Sequence, residues 1–299
     1  MDAPPLAAPT SGARAAPLLG SFFLGGFECS THRLDDGRRL DLIESTRHDR
    51  FAAADYRALR AHGIRGARDG LRWHRIETAP GVYDWSSFVP VLRAAAAAGV
   101  GVIWDLCHYG WPDTIDVWRA EFVERFARFA GEVARIVREE TPGPAFYCPV
   151  NEISYWAWAG GDVGHFSPAA FGRGVELKRQ LVRAAIAAID AIRARDPHAR
   201  FVAAEPIIHV AARTPDAALA AERKRLSQFE TWDMLCGRRA PELGGTPRHL
   251  DVLGLNFYSH NQWYVDGGTI APDEPVYRPL HRLLVEIHER YARPMLIAE

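Results

Sequence analysis

The sequence predicts an α/β fold of the TIM (β/α)8-barrel type, with seven strands identifiable and the eighth missing or truncated. Short apolar runs alternate along the chain with amphipathic stretches of helical length, and hydrophobic residues make up 48% of the 299 positions. Strands that alternate with helices in this way form parallel β-α units. Such barrels often form one domain of about 250 residues. We therefore expect a flexible N-terminal tail over residues 1–21 and one barrel domain over residues 22–299.

The strands are predicted where short apolar runs are bounded by turn or helix signals. These runs cover residues 22–27, 64–68, 100–106, 146–150, 200–204, 251–256 and 294–298.

Helices are predicted between most of these strands, and glycines mark the ends of two of them. Gly63 follows the first helix and Gly99 follows the second. Residues 207–245 are too long for a simple connection, so we expect extra helices there. The predicted helices cover residues 49–62, 86–98, 119–140, 174–195 and 281–291.

The helix over residues 119–140 has the clearest pattern. Phe122, Phe126 and Phe129 are spaced by three or four residues, as are Val133 and the apolar residues after it. This spacing places them on one helix face, which is expected to pack on the core.

Composition excludes several classes of partner. The formal net charge is −1 and almost all basic residues are Arg spread along the chain, so neither nucleic acid nor a membrane is an expected partner. No apolar run reaches the roughly 18 residues of a membrane span. The four cysteines lack metal-ligand or redox spacing, which favours buried free thiols and a cytoplasmic location. No metal or other cofactor is expected.

Polar residues follow the predicted strands, where barrel enzymes carry their reactive groups. Two of them, Glu152 and Glu299, are carboxylates after the fourth and seventh strands, which suits glycoside hydrolysis through a covalent intermediate. Asn151 is a candidate for binding the sugar hydroxyl next to the reacting carbon, and Arg68 for keeping the nucleophile ionised. The strand-end residues are Arg68, His108, Asn151, Glu152, Asn256, Tyr258 and Glu299.

Six motifs in the same order and spacing give the sequence a resemblance to glycoside hydrolase family 1, and more broadly to the clan A barrels. The strongest is Asn151-Glu152, which resembles the Asn-Glu pair of the family's acid/base. The last motif resembles the strand that ends in the nucleophile. The motifs lie at residues 23–26, 73–76, 106–112, 149–152, 251–258 and 294–299.

The resemblance implies a retaining β-glycosidase that acts on a carbohydrate β-glycoside. It implies that Glu152 is the acid/base, that Glu299 is the nucleophile and that Tyr258 contacts the nucleophile. His108 and Asn256 are expected to contact the sugar. Trp156 or its neighbour Trp158 is expected to stack on a sugar ring.

The sequence departs from the family in two places. The family has a sugar-binding Gln after its first strand, whereas this sequence has Ser-Thr-His-Arg at residues 30–33. His32 or Arg33 is expected to take that place with a different selectivity. The family also continues past its nucleophile to an eighth strand, which contributes a Trp. Because the sequence ends at Glu299, we expect a fragment of a longer glycosidase or a missing piece supplied by another chain.

Structural alternatives stay open for several of these residues. Glu152 is also suited to starting a surface helix, His108 to a buried hydrogen bond, and Arg68 to pairing with a buried acid. The tryptophans are also suited to the core. Glu28 and Glu205 suit either sugar binding or a structural arginine.

Two other functions compete with the glycosidase. One is a catalytically impaired carbohydrate-binding barrel, favoured by the lost Gln and the early stop. The other is a metal-dependent hydrolase with Asp105, His108 and His209 as ligands. The second is disfavoured because no His-x-His pair follows a strand.

Overall fold

The computed structural model describes residues 18–299 of the chain. Most of the predicted tail, residues 1–17, lies outside the described residues. The described chain divides into two compact units, one that ends at Val202 and one that covers Ala203–Glu299.

The first unit contains a parallel sheet with helices between its strands. Strands β1, β2, β5, β6 and the start of β7 are hydrogen-bonded in that order. A short antiparallel hairpin, β3–β4, follows β2. The elements are β1 (Gly25–Gly26), α1 (Leu42–Thr46), α2 (His48–Ala61), β2 (Gly66–Gly70), α3 (Trp73–Ile76), β3 (Glu77–Ala79), β4 (Val82–Tyr83), α4 (Val89–Ala98), β5 (Gly101–Asp105), α5 (Ala120–Glu140), β6 (Phe146–Cys148), α6 (Ile153–Trp156), α7 (Gly174–Arg195) and β7 (Arg200–Pro206).

The second unit contains the end of β7 followed by β9 and β11 in the same parallel arrangement. The hydrophobic core of this unit includes the buried side chains of Trp232 and Tyr291. The extra helices expected in residues 207–245 are present as α8 and α9. The further elements are β8 (His209–Ala211), α8 (Ala218–Leu226), α9 (Glu230–Leu235), β9 (Val252–Asn256), β10 (Gln262–Tyr264), α10 (Leu280–Tyr291) and β11 (Met295–Ile297).

The parallel strands β1, β2, β5, β6, β7, β9 and β11 are the seven that the sequence predicts. Their alternation with helices is that of a (β/α) barrel, which confirms the predicted fold class at this level. The parallel pair β8–β10 was not predicted. The first strand is also shorter than predicted. Phe22 is 86% exposed and only Gly25–Gly26 pairs with β2.

The long helix α5 follows its predicted pattern. Phe122, Phe126 and Phe129 are fully buried, and the ring of Phe129 stacks on Trp73 at 5.5 Å. The helix α4 ends where predicted, because Gly99 adopts the left-handed conformation at φ 64°. Burial of these aromatic side chains holds α5 against Trp73 of α3.

A buried histidine ties α2 to the sheet of the first unit. His48 Nδ1 lies 2.8 Å from Asp55 Oδ2 and Nε2 lies 2.9 Å from Asp69 Oδ2. Tyr56 donates its hydroxyl to the same Asp69 oxygen at 2.6 Å. Burial lowers the pKa of His48, but the two carboxylates outweigh burial and the pKa is raised above 6.5. The protonated ring satisfies both carboxylates, whereas the neutral ring donates to only one.

The variant His48→Gln should therefore be destabilising in a pH-dependent way. A raised folded-state pKa gives stability that is fully present below the unfolded pKa and is lost as the pH rises through the folded value. We expect the variant to lose about 2 kcal/mol of unfolding free energy well below pH 6.5, and clearly less well above it. Urea unfolding at both pH values measures the difference. The exposed His62→Gln is the control, with a change under about 0.5 kcal/mol. A loss that grows with pH would contradict this assignment.

Candidate active site

The first unit brings four of the predicted site residues to one edge of its sheet. Arg68 lies in β2, His108 follows β5, and Asn151 and Glu152 follow β6. Because β2, β5 and β6 are parallel neighbours, their carboxyl ends meet at the same edge. All four residues are buried, with exposed fractions of 7% or less.

Arg68 is the centre of this group. Its Nη2 donates to Asn151 Oδ1 at 2.6 Å and pairs with Asp105 Oδ2 at 2.8 Å. Burial raises the pKa of Asp105, but Arg68 and His108 outweigh it and lower that pKa to about 2. The Arg68 guanidinium is therefore paired with a carboxylate that stays ionised. Within this unit, Arg68 therefore pairs with a buried acid, which was one of the alternatives that the sequence left open.

The orientation of the Asn151 amide sets the proton position on His108. Arg68 has only donors, so the atom of Asn151 that faces it is the acceptor Oδ1. The amide nitrogen then donates to His108 Nε2 at 2.9 Å and to the Tyr109 hydroxyl at 3.0 Å. Nε2 must accept, so the ring proton is on Nδ1, which lies 3.0 Å from Asp105 Oδ2.

The charge state of His108 depends on two opposing effects. Burial lowers its pKa, but the hydrogen bond to Asp105 raises it, and the net shift is upward. A second proton on Nε2 would face the amide hydrogens of Asn151, so the hydrogen-bond pattern favours the neutral ring. Both ring nitrogens of His108 are hydrogen-bonded, and these contacts fix the orientation of the ring.

Glu152 is fixed through Tyr109. The Tyr109 hydroxyl accepts from Asn151 and donates to Glu152 Oε2. Both Tyr109 and Glu152 have left-handed backbones, at φ 64° and 42°, which costs a non-glycine residue about 1–3 kcal/mol. Strain of this kind persists where the surrounding contacts determine the conformation, and it occurs often at functional sites.

The predicted sugar-contacting side chains of the first unit differ in exposure. Trp156 is fully buried and its indole donates to Ser167 O at 2.9 Å, so its ring presents no open face. Trp158 is 42% exposed and is the better placed of the two candidates. His32 packs on Phe166 at 4.8 Å. Burial lowers the pKa of His32.

The Arg33 side chain, one of the two candidates for the sugar contact after the first strand, is paired with Asp113. Its Nε donates to Asp113 Oδ1 at 2.6 Å, and Arg39 donates to the same oxygen at 2.6 Å. Trp104 is a core residue that packs on Phe88 at 5.0 Å.

The second unit holds the other predicted site residues. Tyr258 donates its hydroxyl to Glu299 Oε2 at 2.6 Å, the contact that the family resemblance implies. Tyr258 is 43% exposed, and its ring stacks on His260. Asn256 ends β9 and is fully buried, as is Glu205 near the end of β7.

Three residues of the first site were not predicted as parts of a glycosidase site. They are Asp105, Tyr109 and Cys29, whose Sγ lies 3.3 Å from His108 Nδ1. Burial and Asp105 raise the pKa of the Cys29 thiol well above its usual value, which makes it a poor nucleophile. Two signals were available, because Asp105 lies near the end of a predicted strand and Tyr109 lies within the family motif over residues 106–112. The predicted metal ligand His209 lies 3.0 Å from Val276 O in the second unit.

Solved structures with this fold include a β-glucosidase. The chain is similar to the AHE enzyme from Alicyclobacillus herbarius (18% identity, TM-score 0.66). It is also similar to the family 1 β-glucosidase from Thermotoga maritima (14%, 0.65) and the virulence factor SghA from Agrobacterium tumefaciens (18%, 0.69). Each match covers 84% of this chain and 66% of the other, just under two thirds of those proteins.

These likenesses establish the fold, because the identities are low. The likeness to family 1 β-glucosidases is therefore one of structure rather than of sequence. No protein-family model and no curated protein matches the sequence. Another structure of the Thermotoga maritima enzyme is in complex with deoxynojirimycin. Among the described residues, no helix is both long and apolar enough to cross a membrane.

Replacing Asp105 with Asn should lower the free energy of unfolding by about 3 kcal/mol or more, because it removes the charge paired with the buried Arg68. Asp113→Asn is the matched control, since its side chain is 53% exposed and an exposed pair contributes about 1 kcal/mol or less. Urea unfolding measures both losses. Equal losses in the two variants would show that the buried pair contributes no more to the free energy of unfolding than the exposed pair.

Proposed function

We propose that the protein is a retaining β-glycosidase in which Glu152 is the acid/base and Glu299 is the nucleophile. The observation that carries the proposal is that each carboxylate follows a parallel strand and accepts a hydrogen bond from a tyrosine. Tyr109 donates to Glu152 and Tyr258 donates to Glu299. The fold shared with a family 1 β-glucosidase supports the same reaction class.

The proposed reaction has two displacements. The Glu299 carboxylate attacks the anomeric carbon while Glu152 gives its proton to the glycosidic oxygen, so the bond to the alcohol breaks and a glycosyl ester forms. Glu152, now ionised, then takes a proton from water as that water attacks the same carbon and releases Glu299. Two inversions retain the configuration. The route requires the two carboxyl groups to be about 5–5.5 Å apart.

The neighbours of Glu152 have separate roles in this proposal. Tyr109 positions the Glu152 carboxyl group by donating to its Oε2. Asn256 stays the proposed sugar contact, whereas His108 and Asn151 are positioning residues, because their side chains are already hydrogen-bonded to Asp105, to Arg68 and to each other. Arg68 acts through Asn151, whose amide it orients. Trp158 offers an exposed indole on which an apolar sugar face can stack, whereas Trp156 is a buried core residue.

The chemical roles of the two carboxylates are tested by Glu152→Ala and Glu299→Ala with dinitrophenyl β-glycosides. We expect Glu152→Ala to lose about 10²–10⁴-fold in kcat, because the second step lacks its base, while kcat/KM changes little because dinitrophenol departs without a proton. Glu299→Ala should lose about 10⁴-fold or more in kcat/KM. Added azide should restore turnover in both. Glu152→Ala should give the β-glycosyl azide, because azide replaces water in the second step. Glu299→Ala should give the α-glycosyl azide, because azide replaces the nucleophile.

NMR of the azide products measures their configuration, and Glu289→Ala in α10 is the exposed-glutamate control. The same anomer from both variants would reject the assignment of roles. Sugar binding by the wild-type chain without any turnover would instead favour the carbohydrate-binding barrel.

Tyr109→Phe tests the positioning of the acid. Without the hydroxyl, the Glu152 carboxyl loses its fixed direction, so kcat/KM should fall by about tenfold for a poor leaving group. The fall should be small for dinitrophenol, which departs without a proton. Tyr147→Phe is the matched control, because the Tyr147 hydroxyl is buried without a hydrogen-bond partner in residues 18–299. Equal effects on both leaving groups would mean that Tyr109 is only structural.

A further inference from the structure

Three side chains with metal-ligating atoms lie together at the ends of β1 and β5. Cys29 Sγ is 3.3 Å from His108 Nδ1 and 3.6 Å from Asp105 Oδ2, and those two atoms are 3.0 Å apart. Bonds of about 2.3 Å to sulfur and about 2.0–2.2 Å to nitrogen and oxygen, at tetrahedral angles, need ligand separations of about 3.4–3.6 Å. The three atoms therefore lie within a few tenths of an ångström of one face of a tetrahedral site.

A second observation indicates that this cluster has unused ligand capacity. Asp105 is 1% exposed, and its other oxygen, Oδ1, is buried without a hydrogen-bond partner among the described residues. Buried carboxylate oxygens nearly always have a partner. An ion held against Asp105 would give this carboxylate a further partner.

The charges around the cluster suit a divalent cation. Asp105 and Arg68 offset each other, and Glu28 adds a negative charge with Oε1 3.8 Å from His108 Nε2. A metal displaces the proton of a bound thiol, so Cys29 would contribute a second negative charge. The two charges of Zn²⁺ balance the thiolate and Glu28.

We propose that Cys29, Asp105 and His108 form a binding site for a thiophilic divalent cation such as Zn²⁺, with the fourth position taken by water or another oxygen ligand. This proposal does not rest on the glycosidase assignment.

Ion binding would also change the hydrogen bonds of the site. An ion on His108 Nδ1 moves the ring proton to Nε2, which faces the Asn151 amide nitrogen. Asn151 can turn its oxygen toward His108 only by facing its amide nitrogen to Arg68, which has only donors, so ion binding competes with the Arg68–Asn151 hydrogen bond.

The site is tested with the full 299-residue chain after removal of metals by a chelator. Equilibrium dialysis should show one Zn²⁺ bound per chain, and titration with Co²⁺ should produce the charge-transfer absorption of a cobalt–thiolate bond. Cys29→Ser should weaken Zn²⁺ binding by at least about 100-fold. Loss of a residue that only orients a metal ligand weakens binding by about 10–100-fold, and loss of the ligand itself should cost more. Cys236→Ser, at a buried cysteine of the second unit, should leave binding unchanged.

Circular dichroism establishes that each variant is folded. If Cys29→Ser does not fold, His108→Gln should show the same loss of affinity. Absence of Zn²⁺ binding, binding without the cobalt–thiolate band, or equal losses in Cys29→Ser and Cys236→Ser would overturn the site. Because dialysis measures binding without turnover, a failed metal site leaves the glycosidase proposal standing, and an inactive protein leaves the metal site testable.

Discussion

The buried ion pair of Arg68 and Asp105 is the constraint on which the rest of the site depends. Two opposite charges taken out of water are stable only when their geometry and hydrogen bonds are well satisfied. Arg68 donates to Asn151 as well as pairing with Asp105, and the same Asp105 oxygen lies 3.0 Å from His108 Nδ1. That contact orients the Asn151 amide, and the amide then fixes the His108 ring and the Tyr109 hydroxyl. The position of Glu152 follows from these contacts.

The parallel arrangement of β2, β5 and β6 makes this chain of contacts possible. Each side chain comes from a different strand end, so no single segment contains the site. The register pairs Gly70 with Asp105 and Asp105 with Cys148, which brings the residues after β6 next to those after β5. The left-handed backbones of Tyr109 and Glu152 complete the arrangement. Their conformational cost is offset by the buried hydrogen bonds that both residues make.

The sequence was sufficient for the features that depend on local pattern. The helix α5 was predictable because its phenylalanines repeat at helical spacing, and the parallel strands because buried strands are apolar throughout. Asn151 and Glu152 were predictable because they follow a strand. Asp105, Tyr109 and Cys29 were not, because their roles come from contacts between strand ends. The exposure of Trp158 and burial of Trp156 likewise depend on how residues 157–162 turn after α6.

The proposed reaction depends on one covalent event, which is the formation of a glycosyl ester at Glu299. A fluorine at the second carbon of the sugar destabilises the oxocarbenium-like transition states of both steps, while dinitrophenol as leaving group keeps the first step fast. A panel of such fluoroglycosides should therefore trap the intermediate, and mass spectrometry of the digested protein should find the sugar on the peptide that contains Glu299. A label on another residue, or continued turnover of dinitrophenyl glycosides with no label from the matching fluorosugar, would contradict the proposed mechanism.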